Sequence, residues 1–207
     1  MTDVADWWQT DIIDMAPGQI RLRGFAIEDL IGNIGFAEMV WLMTRGTRPD
    51  AAQAALFEAA LVSAVDHGPQ APSIAAARMA VSCGLPLNNA MATAINMLGD
   101  VHGGAGEQAM QFFHAVKNHA GTMSREAAID LVFRENNQLV PGFGHRFHKN
   151  ADPRSVRLMN LLETAVAEKV CTGSFAEIAM AIEAYLYQQK GKAIPMNVDG
   201  VTAVIYA

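Results

Sequence analysis

From Ile27 onward the apolar residues of this chain recur three and four positions apart, in segments closed by glycine, proline or a capping Asp or Ser. That pattern leaves few folds open. A sheet needs alternation, and only Gln19-Ile20-Arg21-Leu22-Arg23-Gly24-Phe25 alternates polar with apolar, after the turn Ala16-Pro17-Gly18; it reads as a short strand or hairpin arm. The spacing then predicts a short helix over Ile27–Ile31 stopped by Gly32. A second helix is predicted over Phe36–Arg45, with Phe36, Met39, Val40 and Met43 on one face and Gly46 as its stop. Asp50 is expected to cap a helix carrying Ala54, Phe57, Leu61 and Val65. Ser73 to Leu98 is rich in Ala, Ser, Met and Asn and broken at Gly84-Leu85-Pro86; it reads as a central packed helix pair. Ser124 is placed to cap a helix through Leu139, and Asp152-Pro153 to open one through Val170. Ser174 to Glu177 fits a capping box for a helix to Gln189. The fold class is mainly α, one domain over 1–207, with a short N-terminal β-hairpin.

Composition narrows the function classes. Of 207 residues, 51% are hydrophobic and 17% charged, the opposite of the balance that keeps a chain disordered. The apolar excess calls for a surface buried between subunits. The most apolar run, Phe36 to Met43, is eight residues and contains Glu38, far short of the roughly 18 apolar residues of a membrane span. Met1 to Asp14 holds four aspartates and no Lys or Arg, unlike a secretion signal. Cys83 and Cys171 form no metal or redox pattern and read as reduced, buried thiols of a cytoplasmic protein. A net charge of -6 argues against a nucleic-acid partner.

Four loops hold the chemistry. In Asp66-His67-Gly68-Pro69, the histidine either meets a ligand carboxylate or caps the preceding helix C-terminus. In Asp100-Val101-His102-Gly103-Gly104-Ala105, a helix opens near Ala105; a histidine at a helix N-terminus stays neutral and donates an N–H to a developing oxyanion, the alternative being a glycine turn with a surface histidine. Pro141-Gly142-Phe143-Gly144-His145-Arg146-Phe147-His148-Lys149 runs into Asp152-Pro153-Arg154; cations beside flexible N–H groups suit a phosphorylated or carboxylated ligand, or form a solvated basic loop. His145 and His148 have no carboxylate or cysteine at ligand spacing, so no metal is expected. In Asn197-Val198-Asp199, the aspartate is either a helix cap or a buried general base.

In this order, Arg23-Gly24-Phe25, Asp66-His67-Gly68, His102-Gly103-Gly104-Ala105, Gly142-Phe143-Gly144-His145 with Asp152-Pro153-Arg154, and Asn197-Val198-Asp199 resemble the citrate synthase superfamily. Asp66 to Met79 and Leu98 to Gly106 resemble most its short, citryl-CoA lyase-like branch. The resemblance implies an almost wholly helical fold, a small lobe at roughly 103–190 closing on a large one, and a homodimer. It implies citryl-CoA, or acetyl-CoA plus oxaloacetate, as ligands, with coenzyme A entering as a thioester. By resemblance His102 holds the enol or enolate of acetyl-CoA. His145 bonds the oxaloacetate carbonyl, or the citryl hydroxyl, whose proton it would take in the cleavage direction. Asp199 moves the methyl proton. His67 and Arg154 match positions that bind the oxo-acid carboxylates. Pro141, Gly142, Phe143 and Gly144 match the adenine site and Lys149 the phosphate site of coenzyme A, with Arg146 a second cation there. The resemblance also implies a further segment after Asn197-Val198-Asp199 with citrate-binding arginines, whereas Ala207 follows eight residues after Asp199; either a longer protein or an incomplete site is expected. Citrate or 2-methylcitrate synthesis, and a non-catalytic CoA-binding subunit, are the alternative functions.

Overall fold

The computed structural model describes residues 7–207, so the acidic stretch read at Met1–Asp14 lies partly outside the described residues. The chain forms two compact units, through Glu58 and from Ala59. In the first, β1 (Ile13–Ala16), β2 (Gln19–Leu22) and β3 (Phe25–Ala26) form an antiparallel meander in sequence order. Pro17-Gly18 turns β1 into β2, and Arg23-Gly24, both left-handed at φ +50° and +87°, make the two-residue turn into β3. The Arg23 guanidinium then reaches the Met43 carbonyl through Nε at 3.1 Å and Nη2 at 2.8 Å, tying the turn to the helix behind it. Helix α1 (Ile27–Leu30) stops one residue before the expected end; α2 (Phe36–Arg45) has the predicted bounds, with Gly46 left-handed at φ +80°. Its buried residues are Ala37 and Leu42, and Phe36, placed by the spacing on one face with Met39, Val40 and Met43, is 84% exposed. Helix α3 (Ala51–Ser63) spans the unit boundary; Asp50 caps it, accepting the Gln53 N–H at 2.8 Å while the Gln53 side chain accepts the Asp50 N–H at 3.0 Å. Val65, expected on that helix, lies beyond it and is exposed.

The regular elements of the second unit are all helices among the described residues. Helices α4 (Pro72–Ser82) and α5 (Leu87–Ile95) pair as the sequence implied. They are not central, however: beyond Ala80 and Ala90 nothing on them is buried, and Met79, Val81, Leu87, Met91 and Ile95 are exposed. Cys83, expected to be buried, is exposed at the end of α4, and Cys171 is half-buried; both are free thiols. The core belongs to α6 (Ala105–His119), α7 (Arg125–Glu135), α8 (Pro153–Ala167), α9 (Ser174–Lys190) and α10 (Val198–Tyr206). Helix α6 packs against α7, α9 and α10, and Phe112, Phe113 and Val116 are buried in it as Ile129, Ile182 and Val201 are in its neighbours. Each side chain of that kind contributes about 1.5–3 kcal/mol on burial. Ser124 caps α7, its Oγ accepting the Ala127 N–H, but the helix stops at Glu135 because Asn137 and Gln138 turn left-handed. Helix α8 likewise stops short of Val170, with Lys169 at φ +61°. The capping box at Ser174 does not form: the cap is left-handed Gly173, Ser174 is already helical, and the Glu177 carboxylate pairs with Arg125 at 3.0 Å.

Candidate active site

All the histidine and aspartate loops singled out in the sequence lie in the second unit, and hydrogen bonds join two of them, the 141–154 stretch and 195–199. The loop at 141–145 docks on 195–197. Gly144 donates its N–H to the Pro195 carbonyl at 2.8 Å, Asn197 donates its N–H to the Gly142 carbonyl at 2.9 Å, and Asn197 Nδ2 donates to the Gly144 carbonyl at 2.7 Å. Asn197 also caps α10, its Oδ1 accepting the N–H groups of Asp199 and Gly200. The contact is close enough to require glycine on both sides. Gly142 is left-handed at φ +82° and a β-carbon there would lie 2.6 Å from the Gly200 Cα; one on Gly200 would collide with the Gly142 carbonyl oxygen. Three polar groups of Pro141–Gly144 are thus spent on this seam, leaving the N–H groups of Gly142 and Phe143 without a protein partner among the described residues.

His145 is set by the chain that follows it. Its Nδ1 accepts the backbone N–H of Phe147 and of His148, each at 3.1 Å. A ring nitrogen that accepts carries no proton, so the neutral imidazole holds its hydrogen on Nε2 and presents it as a donor. Burial, then the neighbouring His148, lower the pKa of His145 below 6.5, Asp152 partly opposing them. This geometry fits hydrogen bonding to a carbonyl or alkoxide oxygen. It does not fit the expected transfer of the citryl hydroxyl proton to His145, because Nε2 has no free lone pair.

His102 is fixed in the mirror sense. Its Nε2 accepts the Ser73 N–H at 3.2 Å and lies 2.9 Å from Ser73 Oγ, which leaves the proton on Nδ1, unpaired among the described residues. A helix N-terminus does meet this histidine, as the sequence suggested, but it is that of α4, 29 residues upstream, and not α6. Ser73 is a residue the sequence reading missed; no local pattern links it to His102.

Asp199 sits in the first turn of α10, half-buried, and its carboxylate makes no hydrogen bond or ion pair with any described residue. Gly106, in the first turn of α6, faces the Asp199 carbonyl, a β-carbon there lying 3.9 Å from it, so the His102 loop and the α10 N-terminus share one edge. His67 is exposed, its ring 6.3 Å from that of His145; it bonds no carbonyl of α3 and so is not that helix's cap. Arg154 forms a two-pronged pair with Asp152, Nε to Oδ1 at 3.0 Å and Nη2 to Oδ2 at 2.8 Å, leaving both Nη1 hydrogens unpaired among the described residues. Arg146 and Lys149 are exposed and touch none of these groups through a hydrogen bond. A cavity of about 700 Å³ between α8 and α9 includes Asp152 and Met196 in its wall but none of His67, His102, His145 or Asp199. Among the described residues, no three His, Cys, Asp or Glu side chains are placed to hold a metal, and no helix is long and apolar enough to cross a membrane.

Comparison with known proteins gives a consistent picture. A family model described as the citrate synthase C-terminal domain matches residues 43–207. The citrate synthase of Deinococcus radiodurans is 34% identical over 168 residues, 80% of this chain and 43% of that protein; the chain spans less than half the length of the curated relatives it matches first. Among solved structures, the citryl-CoA lyase of Hydrogenobacter thermophilus is 35% identical with a TM-score of 0.84, over 96% of this chain and 75% of that one. The citrate synthase of Thermoplasma acidophilum, solved with carboxymethyl coenzyme A and oxaloacetate, is 25% identical with a TM-score of 0.64, over 83% of this chain and 45% of that one.

Proposed function

The chain belongs to the citrate synthase family, and from that premise we propose that it is a citryl-CoA lyase-like enzyme, cleaving citryl-CoA to acetyl-CoA and oxaloacetate. The observation that carries this reading is the pair of oppositely set histidines, His102 offering Nδ1–H and His145 offering Nε2–H, beside an uncommitted Asp199 carboxylate. A retro-Claisen cleavage needs such a set. The citryl hydroxyl gives its proton to solvent water, His145 Nε2–H holds the alkoxide, and the C–C bond breaks as the alkoxide becomes the oxaloacetate carbonyl. The electron pair passes to the thioester as an enolate whose oxygen meets His102 Nδ1–H. Asp199, having taken a proton from solvent, gives it to the terminal carbon, forming the methyl of acetyl-CoA, and the proton that the hydroxyl released to solvent replaces the one taken. His67 and Arg154 hold the carboxylates, and the open N–H groups at Gly142 and Phe143, with Arg146 and Lys149, serve coenzyme A.

The lyase reading draws support from the likeness to the Hydrogenobacter thermophilus lyase across 96% of the chain. The same residues run in reverse as a synthase, the second reading, supported by the identity to citrate synthases. A small lobe over 103–190 closing on a large one, a homodimer joined through the outward apolar face of α4 and α5, and a cytoplasmic setting belong to the same proposal. The test is incubation of the purified protein with citryl-CoA while oxaloacetate is followed. Product at wild-type rates that Asp199→Asn lowers by about a thousandfold, with coenzyme A binding within a few-fold, is the expected result. Thiol release from acetyl-CoA and oxaloacetate without citryl-CoA cleavage selects the synthase, and no turnover of either sinks both readings.

A further inference from the structure

Asp152 does more than cap α8. It is 1% exposed, and its carboxylate accepts four hydrogen bonds: Arg154 N–H at 3.0 Å and Nε–H at 3.0 Å on Oδ1, Arg154 Nη2–H at 2.8 Å and Val198 N–H at 3.2 Å on Oδ2. Those bonds fill the acceptor capacity of a carboxylate. Three of the four donors are unrelated to capping α8. The guanidinium is gripped by its Nε–Nη2 edge, which fixes its plane, and Val198 is the first residue of α10, directly before Asp199. Packing alone does not call for this arrangement, since a cap needs one oxygen and a buried charge needs one partner.

We infer that Asp152 is a positioning residue that sets two members of the site at once, the guanidinium of Arg154 and, through the Val198 N–H, the start of the helix that carries Asp199. The inference rests on the reading of Arg154 as a carboxylate binder and Asp199 as the proton carrier. One buried group thereby couples substrate placement to proton placement, so that the oxo-acid and the acid–base group keep a fixed separation. The carboxylate suits the task better than an amide. An asparagine offers one acceptor oxygen, and its Nδ2–H₂ turned toward Val198 N–H and Arg154 Nη2–H meets only donors.

Serine and asparagine both cap helices well, so Asp152→Ser and Asp152→Asn keep the cap while releasing Arg154 and Val198. In the complete gene product, with helical content and coenzyme A affinity unchanged within threefold, each is expected to lower kcat about 100-fold, the effect of misplacing a reacting group by an ångström. Each is also expected to raise KM for the oxo-acid-bearing substrate about tenfold, the effect of a loosened charged hydrogen bond. Val198→Pro separates the two arms. The first helical position accepts proline, and the extended Asn197 before it, at φ -97° and ψ -175°, accepts it too. This variant removes the N–H given to Asp152 while keeping a buried apolar side chain of similar size, and is expected to lower kcat at least tenfold with KM within twofold. A folded Asp152→Ser with wild-type kcat and KM overturns the inference. If neither Asp152 variant accumulates folded, Val198→Pro decides: a fall in kcat alone sustains the coupling to Asp199 and an unchanged kcat overturns it. Absence of turnover in wild-type protein removes the functional reading and this inference together, an outcome distinct from wild-type turnover that the variants leave intact.

Discussion

The two histidines at the centre of the site show how much of a residue's chemistry is decided by groups that never touch substrate. His145 is a donor because Phe147 and His148 give their N–H groups to its Nδ1, and His102 is one because Ser73 occupies its Nε2. The lowered pKa of His145 has a readable consequence. Its neutral ring is favoured in the folded protein, so the stability it contributes is complete above pH 6.5 and is lost as pH falls below 6.5 through the folded value. The acid limb of kcat/KM that belongs to His145 is therefore expected below pH 6.5. His148→Ala removes one of the two main causes of the lowering while sparing the backbone N–H, and is expected to move that limb upward. A pH profile of both proteins checks this; a limb that stays in place or moves down shows that His148 does not tune the site.

At the scale of elements, the site depends on a seam between the 141–144 loop and the start of α10 that only glycine permits. Gly142→Ala sets a β-carbon against Gly200 and places a left-handed conformation on a residue that resists it. Strain and overpacking together are expected to cost about 2–5 kcal/mol, lowering the midpoint of thermal unfolding by roughly 5–15 °C for a chain of this size. Gly191→Ala is the control. Gly191 is also left-handed, at φ +65°, but has no atom within 4 Å of the added carbon, so strain of about 1 kcal/mol is its whole effect. Equal losses in the two melts would show that the seam is not tight. Helix ends were the less legible part of these elements. The starts at Asp50, Ser124 and Asp152 are written in capping side chains, whereas the stops after Glu135 and Ala167 come from non-glycine residues turned left-handed, which local sequence scarcely signals.

For the molecule as a whole, the surplus of apolar residues has a location. Met79, Leu87, Met91 and Ile95, on α4 and α5, are each more than half exposed, and a face of that kind on paired helices marks an interaction surface. On the homodimer reading, Leu87→Glu combined with Met91→Glu is expected to give a monomer at micromolar concentration, where the wild-type protein runs as a dimer in analytical ultracentrifugation. A wild-type monomer would remove the dimer from the proposal. Small residues over Ser73–Leu98 suggested close helix packing, which is present between α4 and α5. Their period could not say that the opposite faces would remain outward, because a helix buried in its own chain and one buried by another chain carry the same apolar stripe.

The sequence by itself determined the helical class, the one alternating hairpin, most helix starts and the set of reactive loops, because caps, periods and glycine turns act over a few residues. It also determined the family, because five short motifs stood in one order. Tertiary structure decided what each reactive group can do. Whether His102 donates depends on an amide 29 residues away, and whether Asp152 is a cap or a coupling between Arg154 and α10 depends on an N–H 46 residues on. Proton placement is set by the partner across space, and partners across space are not written in the neighbours along the chain.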